Sequence, residues 1–285
     1  MHGHMPLEWY EKCQKYHEEN YLSWWNAMVE ECNSGAYRSH LWMTGPSGYW
    51  ARFGDVKFAV DLAWWIPGTF EAVTPTLAQD MQTLDFVIFT HEHGDHFMPE
   101  QIAVVKDIDT TWIVPWCMEK AFAETGIPKE KCIIVNPGDK FQVSGVEMEA
   151  YLGHHHYPDG TKGPESLMYT LKTPEKSFFI PGDVRDFDPK HIPAGKKFDA
   201  VMMNLYLHRF NGYAYPFPEY YRGMVEFAAG MNTQKLLVGH LYGFNCGSPD
   251  LIWNFMHVGM LEDGVYCLRP DMEVIATKIG RRYAI

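Results

Sequence analysis

The amino-acid sequence predicts an α/β protein, of the α+β kind in which two packed sheets are covered by helices. Three observations support this fold class: strand-like apolar runs fill the first half and the middle of the chain, helical patterns lie between them, and no long linker interrupts them. The 285 residues are 46% hydrophobic and 15% aromatic, which is enough for one sizeable core. We therefore expect a single domain over residues 1–285.

An amphipathic helix is predicted at the start of the chain, over about residues 7–32. Apolar residues recur there at roughly helical spacing from Leu7 to Val29, and the pattern stops at Asn33-Ser34-Gly35. Packing against the body of the protein or a second subunit is favoured over sugar binding for the aromatic residues of this helix. These residues are Trp9, Trp24 and Trp25.

Strand signals continue through the chain after this helix. Runs between Leu41 and Trp65 are separated by glycine-containing turns and predict hairpins, and the continuous apolar run Leu84–Phe89 is typical of a strand buried on both faces. Further strands are predicted at Thr111–Val114, Ile133–Val135, Phe141–Tyr151, Ser166–Lys172, Ser177–Ile180, Ala200–Asn204 and Leu236–Val238. Helices are predicted at Pro99–Val105, Met118–Glu124, Glu219–Gly230 and Asp250–Met260.

Charge and cysteine content limit the classes of partner. The net charge of -12 disfavours nucleic acid, because binding a phosphate polymer relies on clustered Lys and Arg, and the pair Arg281-Arg282 is interpreted as a solvated chain end. The six cysteines are scattered without a CxxC pair, which favours a reducing compartment. No secretory signal and no membrane-length apolar run are found, so we expect a cytoplasmic protein with no membrane partner. Homo-oligomer formation is left open.

The segment His91 to His96 has the form HxHxDH and follows a predicted buried strand. His91 and His93 are two residues apart, so in an extended loop both side chains can face one cation, while Asp95 and His96 turn toward a second. Imidazole and carboxylate ligands suit zinc, manganese and iron. The segment therefore predicts a site for two divalent metal ions.

Three further places behind predicted strands offer metal ligands. They are the triple His154-His155-His156, Asp183 after Ile180-Pro181-Gly182, and His240 after Leu236–Gly239. Loops at strand ends commonly carry functional residues on a rigid sheet. The order His, Asp, His behind HxHxDH therefore predicts a distributed metal site, in which any of the three consecutive histidines could be the ligand.

This ordered set of residues resembles the metallo-β-lactamase superfamily, whose fold is a four-layer αββα sandwich. The stretches Gly126–Asp139 and Leu171-Lys172-Thr173-Pro174 are similar to the branch that contains L-ascorbate-6-phosphate lactonase and related metal-dependent hydrolases. Weaker similarities to this branch occur at Thr44–Trp50 and Val60–Trp65, so the resemblance runs through most of the chain.

The resemblance implies which residues bind each metal. A Gly-His turn favours His154 from the triple histidine, whereas the match of Glu149-Ala150-Tyr151 favours His155, so His155 is ranked first and His154 second. The implied ligands of the first metal are His91, His93 and this histidine. Those of the second are Asp95, His96 and His240, with Asp183 bridging the two.

The activity that the resemblance implies is metal-dependent hydrolysis by a metal-bridged hydroxide. Two adjacent cations lower the pKa of a shared water and polarise the oxygen of the scissile group, and the resemblance gives Asp95 the role of orienting the hydroxide and taking up a proton. The expected substrate is a lactone or ester of a small polar metabolite, with or without a phosphate group. A phosphodiesterase or nuclease of the same superfamily is the alternative, and a non-catalytic metal-binding module is the alternative of another class.

Four further residues are candidates for binding an anionic substrate, because a guanidinium group suits phosphate or carboxylate. Surface salt bridging is the alternative interpretation of such charges. The candidates are Arg185, Tyr206, His208 and Arg209.

Overall fold

Two seven-stranded sheets form the centre of the protein in the computed structural model, which describes residues 6–155, 163–207, 218–245 and 252–285. The first sheet comes from the first half of the chain and one C-terminal strand. Its strands are β1 (Ser39–Met43), β2 (Tyr49–Phe53), β3 (Val56–Val60), β4 (Phe86–Ile88), β5 (Thr111–Pro115), β6 (Cys132–Val135) and β14 (Arg282–Ala284). Their order is β14-β1-β2-β3-β4-β5-β6, antiparallel from β14 to β3 and parallel from β3 to β6.

The second sheet is built from the second half of the chain. Its strands are β7 (Lys140–Val143), β8 (Val146–Leu152), β9 (Leu167–Lys172), β10 (Ser177–Gly182), β11 (Ala200–Asn204), β12 (Lys235–Gly239) and β13 (Glu273–Ala276). The order is β13-β12-β11-β10-β9-β8-β7, with parallel pairing from β10 to β13 and antiparallel pairing from β7 to β10. The parallel strands place several loops at one edge of the sheet.

Helices connect the strands. They are α1 (Leu7–Asn33), α2 (Thr69–Met81), α3 (Pro99–Ile102), α4 (Glu119–Ala123), α5 (Pro218–Gly230) and α6 (Phe255–Leu268), with short 3-10 helices at Ala103–Val105, Trp116–Met118, Lys129–Lys131 and Pro189–His191. Within the described ranges, no helix has both the length and the apolar character needed to cross a bilayer.

Alternation of side chains along the strands produces the layers. On β1, Trp42 faces the helices and packs in one core with Trp25 of α1 and Trp50 of β2. Its neighbour Leu41 faces the other way, into the core between the sheets that also holds Phe178 of β10.

A third core lies on the outer face of the second sheet, where α5 and α6 pack through Phe227 and Leu261 against Val201 and Val238. The sequence of layers is helix, sheet, sheet, helix. This arrangement confirms the predicted α/β class and the αββα sandwich.

One predicted strand is wrong. The run Phe141–Tyr151 forms two antiparallel strands, β7 and β8, because Ser144 and Gly145 take positive φ angles of 49° and 82° and reverse the chain. Gly adopts such angles at no steric cost, so the Ser-Gly pair was the signal of a turn.

The interpretation of Arg281-Arg282 as a solvated end is also wrong for Arg282, whereas Arg281 is exposed. Arg282 begins β14, which pairs with β1. Its guanidinium lies 2.7 Å from a carboxylate oxygen of Glu31 and 3.5 Å from the ring centroid of Tyr37. β14 is thus the edge strand of the first sheet, next to β1.

Two helix predictions need correction. Helix α6 starts later than predicted and ends at Leu268, because the side chain of Asn254 caps it by accepting from the backbone N–H of Met256. The predicted start at Asp250 lies outside the described residues. Helix α2 was not predicted, since Pro75 interrupts its pattern, yet its Val73 and Leu77 are buried in the first core.

Candidate metal centre

Four loops meet at one end of the two sheets and bring together seven of the predicted ligands. The loop after β4 carries the HxHxDH segment, and it comes from the first sheet. The loops after β8, β10 and β12 come from the second sheet and carry His155, Asp183 and His240. Each ligand therefore follows a strand whose position is fixed by the packed cores.

The first cluster consists of His91, His93, His155 and Asp183, whose ligand atoms all lie within 4.8 Å of one another. His91 Nε2 is 3.1 Å from His93 Nδ1, and His155 Nε2 is 3.5 Å from Asp183 Oδ2. Three imidazoles and one carboxylate thus surround a common point.

The second cluster consists of Asp95, His96 and His240, whose ligand atoms also lie within 4.8 Å of one another. His240 Nε2 is 2.9 Å from Asp95 Oδ2, and His96 Nε2 is 3.9 Å from the same oxygen. The structure thus places His91 and His93 in one cluster and Asp95 and His96 in the other.

Asp183 lies between the two clusters. Its Oδ1 is 3.4 Å from His96 Nε2, and its Oδ2 is 3.5 Å from His155 Nε2 and 3.9 Å from His240 Nε2. Asn204 at the end of β11 donates from Nδ2 to Asp183 Oδ1 at 2.8 Å and holds the carboxylate in this position. One buried carboxylate therefore faces histidines of both clusters.

Burial keeps the histidines of the first cluster neutral. It lowers the pKa of His91 well below its ordinary value and that of His93 to about 4, and it also lowers the pKa of His155. A neutral imidazole has the lone pair that a metal ion needs, so these side chains are ready ligands at neutral pH.

In the second cluster, the nearby carboxylates affect the pKa of the histidines more than burial does. Burial alone would lower the pKa of His96 and His240, but Asp183 and the neighbouring Asp95 raise both values above the ordinary one. Burial would raise the pKa of Asp95 and Asp183, but the adjacent histidines lower both well below the usual range. An ionised carboxylate that is removed from water is unfavourable unless a positive charge lies beside it. Bound cations would supply that charge.

The residues fit divalent metal ions. His96 Nε2 is buried, points at Asp183, and forms no hydrogen bond within the part of the chain that the structure describes. Bonds of about 2.0 Å to a tetrahedral zinc ion separate neighbouring ligand atoms by about 3.3 Å. The 3.1 Å between His91 and His93 and the 3.5 Å between His155 and Asp183 lie close to that value. Mixed imidazole and carboxylate donors suit zinc, manganese and iron.

A residue that the sequence reasoning missed orients the HxHxDH loop. Asp61, buried after β3, accepts hydrogen bonds from the backbone N–H of Thr90 at 2.8 Å, from Thr90 Oγ1 at 2.7 Å and from His96 Nδ1 at 2.9 Å. Thr90 Oγ1 in turn accepts from His91 Nδ1 at 3.0 Å. The signal was an acidic residue inside the otherwise apolar run VKFAVDLAWW.

Gly94 lets an aromatic ring cover the loop. A Cβ atom at this position would lie 2.7 Å from Cζ3 of Trp65, closer than real Cβ atoms approach other atoms. Trp65 therefore packs directly on the backbone between the two pairs of ligands, and the glycine is required by this contact.

His240 adopts a left-handed conformation with φ of 63°, uncommon for a residue with a side chain. Its backbone N–H donates to the carbonyl of Pro46 at 2.7 Å, in the turn between β1 and β2 of the first sheet. This contact holds the last ligand of the second sheet against the first sheet.

The triple histidine is divided by the structure. His155 lies in the first cluster, whereas His154 lies beside Asp186 and His191, outside both clusters, because successive residues of the extended loop point to opposite sides. His156 lies outside the described residues. The structure therefore places His155, and not His154, with His91, His93 and Asp183.

Arg185 and Tyr206, two of the candidate substrate-binding residues, lie next to Asp183. The Cζ atom of Arg185 is 4.0 Å from the centroid of the Tyr206 ring, and its Nη2 is 3.4 Å from Asp183 Oδ2. Both side chains are buried. The other two candidates, His208 and Arg209, lie outside the described residues.

Two clusters of histidine and aspartate joined by one carboxylate, at the strand ends of an αββα sandwich, define the class of metallo-β-lactamase-fold proteins. A family model described as "Beta-lactamase superfamily domain" matches residues 63–241, and the chain belongs to this superfamily. The matched range contains all seven residues of the two clusters.

Sequence identity to named relatives is low. The chain is 25% identical over 207 residues to a protein of Escherichia coli O139:H28 named "Probable L-ascorbate-6-phosphate lactonase UlaG", with 56% of this chain and 58% of the relative covered. The chain therefore spans somewhat more than half the length of this relative.

Solved structures share the fold. Igni18, a metallo hydrolase from Ignicoccus hospitalis, is similar with a TM-score of 0.63 and 13% identity over 87% of this chain and 98% of that one. CmlA, a diiron β-hydroxylase from Streptomyces venezuelae, is similar with a TM-score of 0.58 and 14% identity over 87% of this chain and 54% of that one.

Proposed function

We propose that this protein is a metal-dependent hydrolase that acts on a lactone or ester of a small polar metabolite. The observation that carries the proposal is the position of Asp183, whose two oxygens face histidines of both clusters at 3.4 Å and 3.5 Å. Two adjacent cation sites that share one ligand are an arrangement that many metal-dependent hydrolases use. The similarity to a lactonase supports the substrate class.

Seven side chains would hold the cations in this proposal. Divalent ions of zinc, manganese or iron, when bound, lower the pKa of a water and polarise a carbonyl oxygen. The ligands of the first ion are His91, His93 and His155, those of the second are Asp95, His96 and His240, and Asp183 contributes to both.

Asp95 is the residue that we expect to act on the attacking water. Burial would raise the pKa of its carboxyl, but His96 and His240 lower it well below the usual range, so the group is ionised. An ionised oxygen accepts a hydrogen bond from water and sets its direction of attack. His240 Nε2 lies 2.9 Å from Oδ2 and leaves Oδ1 for this role.

Arg185, which stacks on the ring of Tyr206, places a positive charge next to Asp183. A guanidinium that stacks on an aromatic ring keeps a fixed direction and suits a carboxylate or phosphate oxygen. We propose that this pair attracts the anionic part of a polar substrate and stabilises the orientation of Asp183.

The decisive experiment compares three substrate classes on protein loaded with zinc, manganese or iron. We expect turnover of a lactone or an aryl ester, and loss of that turnover in metal-stripped protein and in Asp95→Asn. Turnover of bis(p-nitrophenyl) phosphate alone would overturn the proposal in favour of a phosphodiesterase. Metal bound at full stoichiometry with no turnover of any of the three classes would favour a metal-binding module.

A further inference from the structure

The segment that begins at His240 has an unusual backbone. His240 and Tyr242 both take left-handed φ angles, of 63° and 59°, which residues with a side chain seldom adopt. Conformations of this kind persist where contacts with the surrounding structure hold them in place. The contacts of this segment therefore determine where the imidazole of His240, the last ligand of the second cluster, lies.

The N-terminal helix α1 contacts this segment on one side. The hydroxyl of Tyr10 donates to the backbone carbonyl of Phe244, and the centroids of the two rings are 5.4 Å apart in an edge-to-face arrangement. The ring centroid of His17 lies 5.0 Å from that of Phe244 and 6.1 Å from that of Tyr242. Three aromatic rings of the segment and the helix thus pack around Phe244, which is buried.

The same helix also holds a turn that contacts His240 from the first sheet. The buried hydroxyl of Tyr21 donates to the carbonyl of Thr44 at 2.7 Å, and the backbone N–H of Thr44 donates to the carbonyl of Gly48 at 2.9 Å, which closes the turn between β1 and β2. Within this turn, the carbonyl of Pro46 accepts from the backbone N–H of His240 at 2.7 Å. Helix α1 therefore contacts the backbone on both sides of this ligand.

The two tyrosines lie on one face of α1, because their spacing of eleven residues is close to three helical turns. A phenylalanine at either position would bury the same ring, so what the hydroxyls add is a directed hydrogen bond to a backbone carbonyl. Helix α1 lies outside residues 63–241, the range that the family model matches. These contacts are thus a feature of this chain beyond the matched domain.

We propose that α1 is a positioning element of the second metal site. The hydroxyls of Tyr10 and Tyr21 hold the backbone on either side of His240, and so keep its Nε2 directed at Asp95 Oδ2, which lies 2.9 Å away. The inference rests on the proposed function in one respect, since it requires that the second cluster binds an ion. It adds that the affinity for this ion depends on a helix that supplies none of the ligands.

The test measures zinc affinity at the second cluster alone. A His91→Ala, His93→Ala background removes two ligands of the first cluster, and zinc is titrated against a competing chelator. We expect Tyr10→Phe and Tyr21→Phe together to weaken zinc binding by about 10-fold, the lower end of the effect of losing groups that orient a metal ligand. Tyr16→Phe is the matched control, because it removes a hydroxyl from an exposed residue of the same helix and should leave the affinity unchanged.

A second background separates positioning from a general loosening of the protein. His96→Ala, His240→Ala removes two ligands of the second cluster, and in this background the paired tyrosine variants should bind zinc as tightly as their parent. A loss of equal size in both backgrounds would overturn the proposal, because the helix would then act on the whole fold.

Two further outcomes distinguish this inference from the proposed function. Zinc affinity at the second cluster that is unchanged by the paired tyrosine variants would overturn the inference alone. A second cluster that binds no zinc in any variant, wild type included, would overturn both. Each result is a binding constant, so none depends on which substrate the protein hydrolyses.

Discussion

Asp61 Oδ2 accepts a hydrogen bond from His96 Nδ1 at 2.9 Å, and this contact determines which nitrogen of His96 faces the metal centre. With Nδ1 used in this way, Nε2 is directed at Asp183 at a distance of 3.4 Å. A carboxylate behind a ligating histidine fixes the ring and increases the basicity of the other nitrogen. Asp61 is thus a positioning residue for a ligand from another loop.

We predict that Asp61→Asn weakens metal binding by about 10- to 100-fold, because an amide neither fixes the tautomer of His96 nor accepts from Thr90 in the same way. Titration with zinc in the presence of a competing chelator measures the change. Asp85→Asn is the control, since Asp85 also accepts a backbone N–H, that of Lys57 at 2.8 Å, but takes no part in the metal centre. Equal zinc affinity in Asp61→Asn and Asp85→Asn would refute this role.

Asp95→Asn should reduce kcat by about 100-fold or more, the usual effect of losing a group that moves or orients a proton in the transition state. Glu92→Gln provides a matched control from the same loop, because Glu92 is exposed and belongs to neither cluster. The assay uses the lactone or ester identified above, with bound metal measured in parallel. An unchanged kcat at equal metal content would show that Asp95 is at most a ligand.

Gly94→Ala is predicted to displace Trp65 or the loop, since the added Cβ atom would be 2.7 Å from Cζ3 of the ring. The expected result is a lower melting temperature and weaker metal binding. Gly259→Ala in α6 is a contrasting control, because a Cβ atom added there would have no neighbouring atom within 4 Å among the described residues. Alanine also favours a helix over glycine by about 1 kcal/mol.

If the ring contact is the cause, the Trp65→Ala, Gly94→Ala double variant should recover most of the metal affinity lost in Gly94→Ala. A double variant as weak as the single one would place the cause in the backbone of the loop instead.

Arg185→Ala tests whether the buried guanidinium binds substrate or positions Asp183. Loss of substrate binding raises KM several-fold at constant kcat for an anionic substrate and leaves a neutral ester unaffected. Loss of positioning lowers kcat for both substrates and decreases metal affinity. Comparison of an anionic and a neutral ester with the same leaving group distinguishes the two results, and Arg185→Lys shows whether the charge alone is sufficient.

The sequence was sufficient for the parts of the fold that depend on local pattern. The hairpins of the first sheet, the helix at residues 7–33 and most strands before the ligands have clear apolar patterns, so the loops after them could be located. Helix α2 was missed because Pro75 masks its pattern, and β14 was missed because its three residues have no strand signal of their own. Pairing with β1 makes them a strand.

The sequence identified most residues of the candidate site, but it did not determine how all of them are arranged in space. The HxHxDH spacing alone separates His91 and His93 from Asp95 and His96. The choice between His154 and His155 depends on which side of the loop each faces, and Asp61 becomes relevant only when β3 is placed beside β4. Both are tertiary facts that a one-dimensional pattern does not contain.

The origin of the ligands in both sheets has a mechanical consequence. Cations bound between the loop after β4 and the loops after β8, β10 and β12 would act as a cross-link between two halves that otherwise adhere through interleaved apolar side chains. Any sliding of one sheet over the other would pull the ligands apart. Substitutions that disturb the packing between the two sheets should therefore weaken metal binding, even when the altered residues lie far from the metal centre.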